Sequence, residues 1–498
     1  MPEHLLAIDQ GTSSTKCLLV DAAGRVTASG SAPLGERHPA PGWVDQNADE
    51  LWGSVRSAVA ACLDGHDPKS VAGVAISSQR ESCVIWDRRS GAALTPMLSW
   101  QDQRTTALCD RIRAGGDGAL VRDRSGLPLD PMFSAAKARW LLDELPGGQE
   151  RARDGEICIG TVDAWLLSRF GGEVVIEAGN ASRTQLLNTR AAVWDSDLLD
   201  VFGVPQAALP RVVPSIGPFP AIRDLAPLAD GVPVLAVMGD SHAALFGHGA
   251  FSPGDIKATY GTGSSVMGLI DDVGRLDPGL CLTIAWSIDQ PAFAAEGNIR
   301  ATGATLRWLA NIFGISSAEL ADLAATADSH GVSLVPAFNG LGAPWWDTDA
   351  VGLLDGLTLA TSKPTIARAA LESIPQQITD VLEAIDRSVG RVRELFVDGG
   401  PTRNDILMQI QADLAGRPVV RSEMAEMSAL GVAHLAGLRA GLWSWKQLAG
   451  FGRDGTTFAP KATDDARQAA RGHWGAAVAR ARFRPANQGV PRKREVRK

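Results

Sequence analysis

Residues Leu5–Asp21 read LLAIDQGTSSTKCLLVD. An apolar run ends on Asp9, the chain turns through Gly11 and the hydroxyls of Thr12, Ser13, Ser14 and Thr15, and a second apolar run follows Lys16. Two short apolar runs about a Gly-containing turn predict a β-hairpin. A turn of this composition gathers backbone N–H and side-chain O–H groups in one small volume, which suits phosphate. The carboxylate beside it suits a hydrated cation. The same residues would also make a plain hairpin with a polar turn, and the stretch alone leaves both readings open.

The pattern returns in the second half of the chain. DIKATYGTGSSVMGLI (255–270) is again strand, Gly-and-hydroxyl turn, strand, with Gly261-Thr262-Gly263-Ser264 where the first has Gly11-Thr12-Ser13-Ser14. Two comparable α/β units, each presenting a hydroxyl-rich hairpin, predict a duplicated architecture closing on a shared cleft. Between them, VAGVAISSQRESCVIWD (71–87) reads as two strands with Gln79-Arg80-Glu81 at their junction, and VPVLAVMGDSHAALFGHG (232–249) as a buried strand, Gly239-Asp240 and a helix. Helical patterns run over 49–63 and 135–145, and a strand leads into a helix ending at the Gly171-Gly172 pair. LFVDGGPTRNDILMQIQADLAG (395–416) is strand, Gly-Gly turn and helix, with Asn404 in the first helical turn. A helix start behind two glycines lets a nucleotide lie flush with backbone.

The 498 residues are 45% hydrophobic and 21% charged, with net charge −8, the profile of a globular protein with a large core. A negative balance argues against nucleic acid as the main partner, since that affinity rests on neutralising phosphates. The basic run ending RKREVRK is expected to be a solvated tail. Six cysteines without CxxC spacing predict neither a disulfide framework nor a zinc site, and Cys83 is expected to be a buried inert thiol. No apolar run is long enough to span a membrane, and the first strand starts too early for a signal peptide, so a cytoplasmic location is expected.

In series, DQGTSSTK, SSQRESCVIWD, SWQDQR, GLPLDPMFSAAKARWLLDE, NASRTQLLN, GDSHAALFG, TYGTGSSV, PAFNGLGAPWWD, GLLDGLTL and VDGGPTRND resemble the FGGY family of carbohydrate kinases, and within it most closely the glycerol kinases. The resemblance runs from Leu5 to about Leu448. It implies an α/β fold of the sugar kinase/actin/Hsp70 type, two RNase H-like domains about a hinged cleft. The expected units are 1–245, holding the sugar and the first phosphate loop, 246–450, holding the nucleotide, and 451–498, a C-terminal helix and basic tail.

The resemblance also assigns residues. Asp9 would serve Mg²⁺. Thr12, Ser13, Ser14 and Lys16 would meet the terminal phosphates of ATP, with Thr262 and Gly263 facing them from the second unit. Gly303, Arg307 and the Gly399-Gly400-Asn404 group would seat the nucleotide. Asp240 matches the general base, Arg80 and Glu81 the pair gripping acceptor hydroxyls, and Trp100 the ring against the acceptor's carbon side. Glu177 and His242 are read as structural.

Three positions of the acceptor pocket depart from the glycerol kinases: Met132 stands in place of a Tyr, Ser241 of a Gln, and Ser265 of a Phe. A Gly-Gly-Thr-Arg regulatory stretch is also missing from FPAIRDLAPLADGVPV. Losing matched polar groups and a ring favours a four- or five-carbon polyol or ketose over glycerol. Glycerol itself is the alternative acceptor, and a non-catalytic actin-fold sugar sensor the alternative of another class. A small polyol or sugar is the expected partner, with no nucleic acid and no membrane; a homodimer is the only self-association anticipated.

Overall fold

The computed structural model describes residues 4–451 and 455–484; the RKREVRK end lies outside them. Two mixed sheets organise the chain. The first has the order Val234–Gly239, Val71–Ser78, His4–Gln10, Ser14–Asp21, Val26–Pro33. His4–Gln10 and Ser14–Asp21 form the antiparallel hairpin read from the opening stretch, and the next two strands on the other side run parallel. The hairpin continues into a third antiparallel strand, so 4–33 is a three-stranded meander rather than a two-stranded hairpin.

The second sheet repeats the plan. Ile256–Tyr260 pairs antiparallel with Ser264–Ile270, which pairs with Pro291–Ile299, while Leu395–Asp398 and Val419–Ser422 add in parallel on the other side. Cys281–Ser287 and Gly455–Phe458 form its edges. The chain after 450 therefore completes this sheet before the helix Asp464–Arg482. The duplication expected from the two Gly-hydroxyl turns is present strand by strand.

The predicted helices occur at Ala48–Cys62, Ser134–Glu144 and Val162–Arg169, and the helix after Gly239 at Asp240–Gly247. Val84–Asp87 does not extend the main sheet. Glu81 takes φ +62°, turning the chain out of the ladder, and the strand pairs instead with Ile157–Gly160. Asn404 lies just before its helix, Asp405–Ala415, and caps it by accepting from the Leu407 N–H at 3.0 Å.

Two helices lie between the sheets. Asp240–Gly247 packs across Met427–Arg439, and the layer is filled by Leu5, Ala7, Met238, Phe246, Met267, Trp286, Ala429, Val432 and Leu435. Met427–Arg439 comes late in sequence yet lies on the first sheet, touching its strands His4–Gln10 and Val71–Ser78. The helices approach closely because Gly431 has no side chain: a Cβ there would stand 1.8 Å from the Ala243 carbonyl oxygen. This layer fixes Asp240, the first residue of its helix, relative to both sheets.

Candidate active site

The strand ends of both sheets open on one cleft of about 470 Å³. Thr12, Ser13 and Lys16 line it from the first hairpin, Thr262, Gly263 and Ser265 from the second. Arg80, Glu81, Trp100, Met132, Asp240, Ser241 and Arg307 complete the expected residues brought together there. Asp9, Ser14, Gly303, Gly400 and Asn404 do not line this cavity. Asp9 is half-buried near the end of its strand, opposite Lys16 and Ser77 in the strand registers. Gly303 starts the helix Gly303–Phe313, and its N–H meets the Gly261 carbonyl at 3.0 Å. Gly400 faces open space at the end of the neighbouring strand Leu395–Asp398, where a Cβ would meet nothing within 4 Å.

Arg80 organises the floor. Its Nε donates to Asp240 Oδ1 at 3.2 Å, and its two terminal nitrogens fork onto Glu296 at 2.9 and 2.7 Å. Arg80 Nη1 also lies 3.4 Å from His242 Nε2. The backbone N–H of Ser241 reaches the same Asp240 Oδ1 at 2.6 Å. Asp240 Oδ2 is left without a partner among the described residues. Arg80 and Glu81 are not paired with each other. Glu81 Oε1 instead accepts from Arg183 Nε at 2.6 Å, and its carbonyl accepts from Ser134 Oγ at 3.0 Å. These contacts hold Glu81 in the left-handed backbone region, where a non-glycine residue is strained and such strain clusters at functional sites.

Glu296 is fully buried. Burial alone would raise its carboxyl, but the Arg183 and Arg80 guanidiniums hold it well below the usual carboxylate range. The His242 ring behind Arg80 is pushed well below its ordinary value by burial and then by Arg80, so it stands neutral. Glu177 caps the short helix Ala178–Ala181 and accepts from Ser215 Oγ at 2.6 Å, consistent with its structural reading. The Cys83 thiol is pushed up to about 12 by burial.

At the first hairpin, Trp100 Nε1 donates to Thr12 Oγ1 at 3.0 Å, which leaves the Thr12 hydroxyl hydrogen free. Arg307 Nη2 donates to Thr262 Oγ1 at 3.2 Å, tying the helix to the second hairpin. Lys16 Nζ lies 2.5 Å from Glu426 Oε2 of the layer between the sheets. Burial raises the Asp9 carboxyl to about 7, a Ser77 hydrogen bond of 2.5 Å opposing the rise and the Asp240 charge adding to it. An oxygen donor held at the strand end beside two hydroxyl-rich turns fits Mg²⁺, which takes one or two carboxylates together with phosphate oxygens.

Met132 belongs to an apolar cluster with Leu127, Phe133 and Cys281, against Trp100 and Trp346. Its segment is pinned by Lys137, whose buried Nζ donates to the carbonyls of Pro131 at 2.9 Å, Met132 and Phe133. Ser265 Oγ donates to Glu296 Oε1 at 2.8 Å. Its hydrogen is therefore used inside the protein, and toward a ligand it can only accept.

Glu296, Arg183, Asn298 and Trp346 were not anticipated. A single Glu in the apolar strand PAFAAEGNI (291–299) and the Arg of NASRTQLLN (180–188) were the available signals. A charge inside a buried strand is rare unless it is paired.

Two phosphate-suited hairpins and a buried Arg-carboxylate floor in one interdomain cleft define a sugar-kinase site on an actin-type fold. The chain matches the FGGY family of carbohydrate kinases, N-terminal domain, over residues 4–247, and its C-terminal domain over 256–440, and it belongs to that family. It is 45% identical over 489 residues to the apulose kinase of Pectobacterium atrosepticum, covering 97% of this chain and 99% of that one. It is 43% identical over 494 residues to the glycerol kinase of Aromatoleum aromaticum, covering 96% and 99%. Among solved structures, that of Plasmodium falciparum glycerol kinase with ADP superposes with a TM-score of 0.88 at 28% identity, covering 97% of this chain and 98% of that one. The protein is thus a carbohydrate kinase acting on a sugar or polyol. Among the described residues, no helix is long and apolar enough to cross a membrane.

Proposed function

We propose that this enzyme transfers the terminal phosphoryl group of ATP to a hydroxyl of a four- or five-carbon ketose or polyol, with Asp240 as general base. What carries the reading is the bonding of Asp240. Arg80 Nε and the Ser241 N–H both engage Oδ1, so Oδ2 is available to take the proton of the attacking hydroxyl. Four of the five Arg80 N–H groups have partners, and the remaining Nη2 hydrogen is available to an acceptor oxygen. Glu81 Oε2 stands ready to accept from a second acceptor hydroxyl, and the Trp100 ring supplies an apolar wall.

Thr12, Ser13, Ser14, Lys16, Thr262 and Gly263 serve the phosphates, while Gly303, Arg307, Gly400 and Asn404 serve the rest of the nucleotide. Asp9 would hold Mg²⁺, which when bound neutralises phosphate charge. Catalysis in this chemistry is mostly positioning and charge stabilisation. The sugar-binding half is assigned to 1–245 and the nucleotide-binding half to 246–450.

The departures at Met132, Ser241 and Ser265 favour an acceptor longer than glycerol, and the apulose kinase among the relatives favours a ketose. Glycerol is the second reading, favoured by the glycerol kinase relative. A coupled ADP-release assay over glycerol, erythritol, threitol, erythrulose, ribulose, xylulose, ribitol and apulose tests both. A four- or five-carbon acceptor is expected to give the highest kcat/KM. Glycerol leading the panel would overturn the acceptor assignment, and no turnover with any acceptor would overturn the kinase assignment.

A further inference from the structure

Asn298 carries a role that none of the family motifs assigns. It lines the cleft from the strand Pro291–Ile299, directly opposite Ser265 in the strand register. Its amide is oriented by two charged neighbours: Oδ1 accepts from Arg183 Nη2 at 2.9 Å, and Nδ2 donates to Glu296 Oε1 at 3.0 Å. Those charges fix which end of the amide is oxygen and which is nitrogen, since Glu296 offers only acceptors and Arg183 only donors. One N–H and one lone pair remain on the amide.

Glu296 Oε1 already accepts from Arg80 Nη2, Ser265 Oγ and Asn298 Nδ2, so it has no capacity left for a ligand. Ser265 can only accept, because its hydrogen goes to Glu296. The Asn298 amide therefore adds a hydrogen-bond donor to this corner of the cleft, beside an accepting serine and the spare Arg80 Nη2 hydrogen.

We infer that Asn298 is a specificity-determining residue that reads a polar group of the acceptor away from the phosphorylated hydroxyl. Its spare N–H suits a carbonyl or hydroxyl oxygen, and its spare lone pair with Ser265 Oγ suits a hydroxyl hydrogen. A hydroxyketone end of a four- or five-carbon ketose matches this set, whereas a three-carbon polyol whose hydroxyls engage Arg80, Glu81 and Asp240 has no further oxygen to offer it. A site built to hydrogen-bond a substrate group discriminates strongly against a substrate that lacks it, because the buried polar atoms are then unpaired. The inference rests on the acceptor reading above, and the experiment separates the two.

Asn298→Ala and the near-isosteric Asn298→Leu are compared with the unaltered enzyme on glycerol, erythrulose, ribulose, xylulose and apulose. The readout is the ratio of kcat/KM for the preferred ketose to that for glycerol. Both variants are expected to lower this ratio by about 10- to 100-fold. An equal fall on every acceptor would show that Asn298 only braces Arg183 and Glu296, and would overturn the assignment. An unchanged ratio in folded, active variants would overturn it as well. If the unaltered enzyme itself prefers glycerol, the acceptor reading fails before Asn298 is tested, which distinguishes the two failures.

Discussion

The guanidinium of Arg80 forks onto the carboxylate of Glu296, joining a loop after the first sheet to a strand of the second at 2.9 and 2.7 Å. Arg183, also buried, stands 3.0 Å from the same carboxylate and grips Glu81 with its Nε. One buried anion thus sets both residues proposed to grip the acceptor, although it lines no part of the cavity. Removing one partner of a buried ion pair leaves an uncompensated charge, which typically costs about 3–5 kcal/mol. Glu296→Gln is expected to destabilise by a sizeable part of that and to raise the acceptor KM more than the ATP KM. Urea unfolding and steady-state kinetics check both, and a variant with unchanged acceptor KM would show that Arg80 is held well enough without it.

Asp240→Asn tests the base directly. Asn keeps an oxygen for Arg80 and the Ser241 N–H but cannot take the proton. Turnover is expected to fall by roughly 10²-fold or more, with acceptor affinity and melting temperature close to those of the parent. Near-normal turnover would assign the proton to another acceptor.

The hairpins, the duplication and the Gly239-Asp240 helix were legible because each is a local pattern: apolar period, Gly-hydroxyl turn, helix start. Motifs in series carried the cleft residues from Thr12 to Ser265. What stayed hidden was the partner choice of charges. Arg80 and Glu81 are adjacent in sequence and invite an ion pair. The left-handed backbone at Glu81 instead leaves each to a partner over a hundred residues away, and adjacency cannot reveal that. Ser265 was legible as a small polar replacement, but not as a donor already engaged by Glu296. The position of Met427–Arg439 on the first sheet is a tertiary fact, with no signal in a helix that is apolar over much of its surface.

Lys137 gives a pH signature. Burial lowers its ammonium to about 8, with the charge of Asp102 opposing, against an ordinary value of 10.5. A depressed folded-state value means the folded protein binds fewer protons than the unfolded chain between pH 8 and 10.5. The stability contribution is therefore present above 10.5 and is lost as pH falls through 8. Relative to Lys137→Met, the parent should gain stability as pH rises from 7.5 to 10, by at most about 3 kcal/mol. Deprotonation also takes one N–H from the carbonyls of Pro131, Met132 and Phe133, so the acceptor KM should rise over the same range in the parent. Denaturant melts of both proteins at pH 7.5 and 10 check the sign, and a parallel pH course of the two would reject it.

Gly431 links remote packing to the base. Its backbone lies against Ala243, one turn along the helix that Asp240 begins, and a Cβ at Gly431 would stand 1.8 Å from the Ala243 carbonyl oxygen and 2.7 Å from the Gly247 nitrogen. Backbone cannot rotate aside as a side chain can, so Gly431→Ala must push the two central helices apart. Overpacking a filled core costs typically about 1–3 kcal/mol. Displacement of the Asp240 helix should also move the base relative to Arg80, which stays fixed by Glu296 in the second sheet. A misplacement near 1 Å can cost roughly 10²-fold in rate. The expected variant is therefore folded but less stable, with kcat reduced far more than acceptor binding. Calorimetric titration of the acceptor beside kcat reads the split. Loss of binding and turnover in equal measure would place the effect on Arg80 and Glu81 rather than on the base, while unchanged turnover would mean that the helices yield without carrying Asp240 with them.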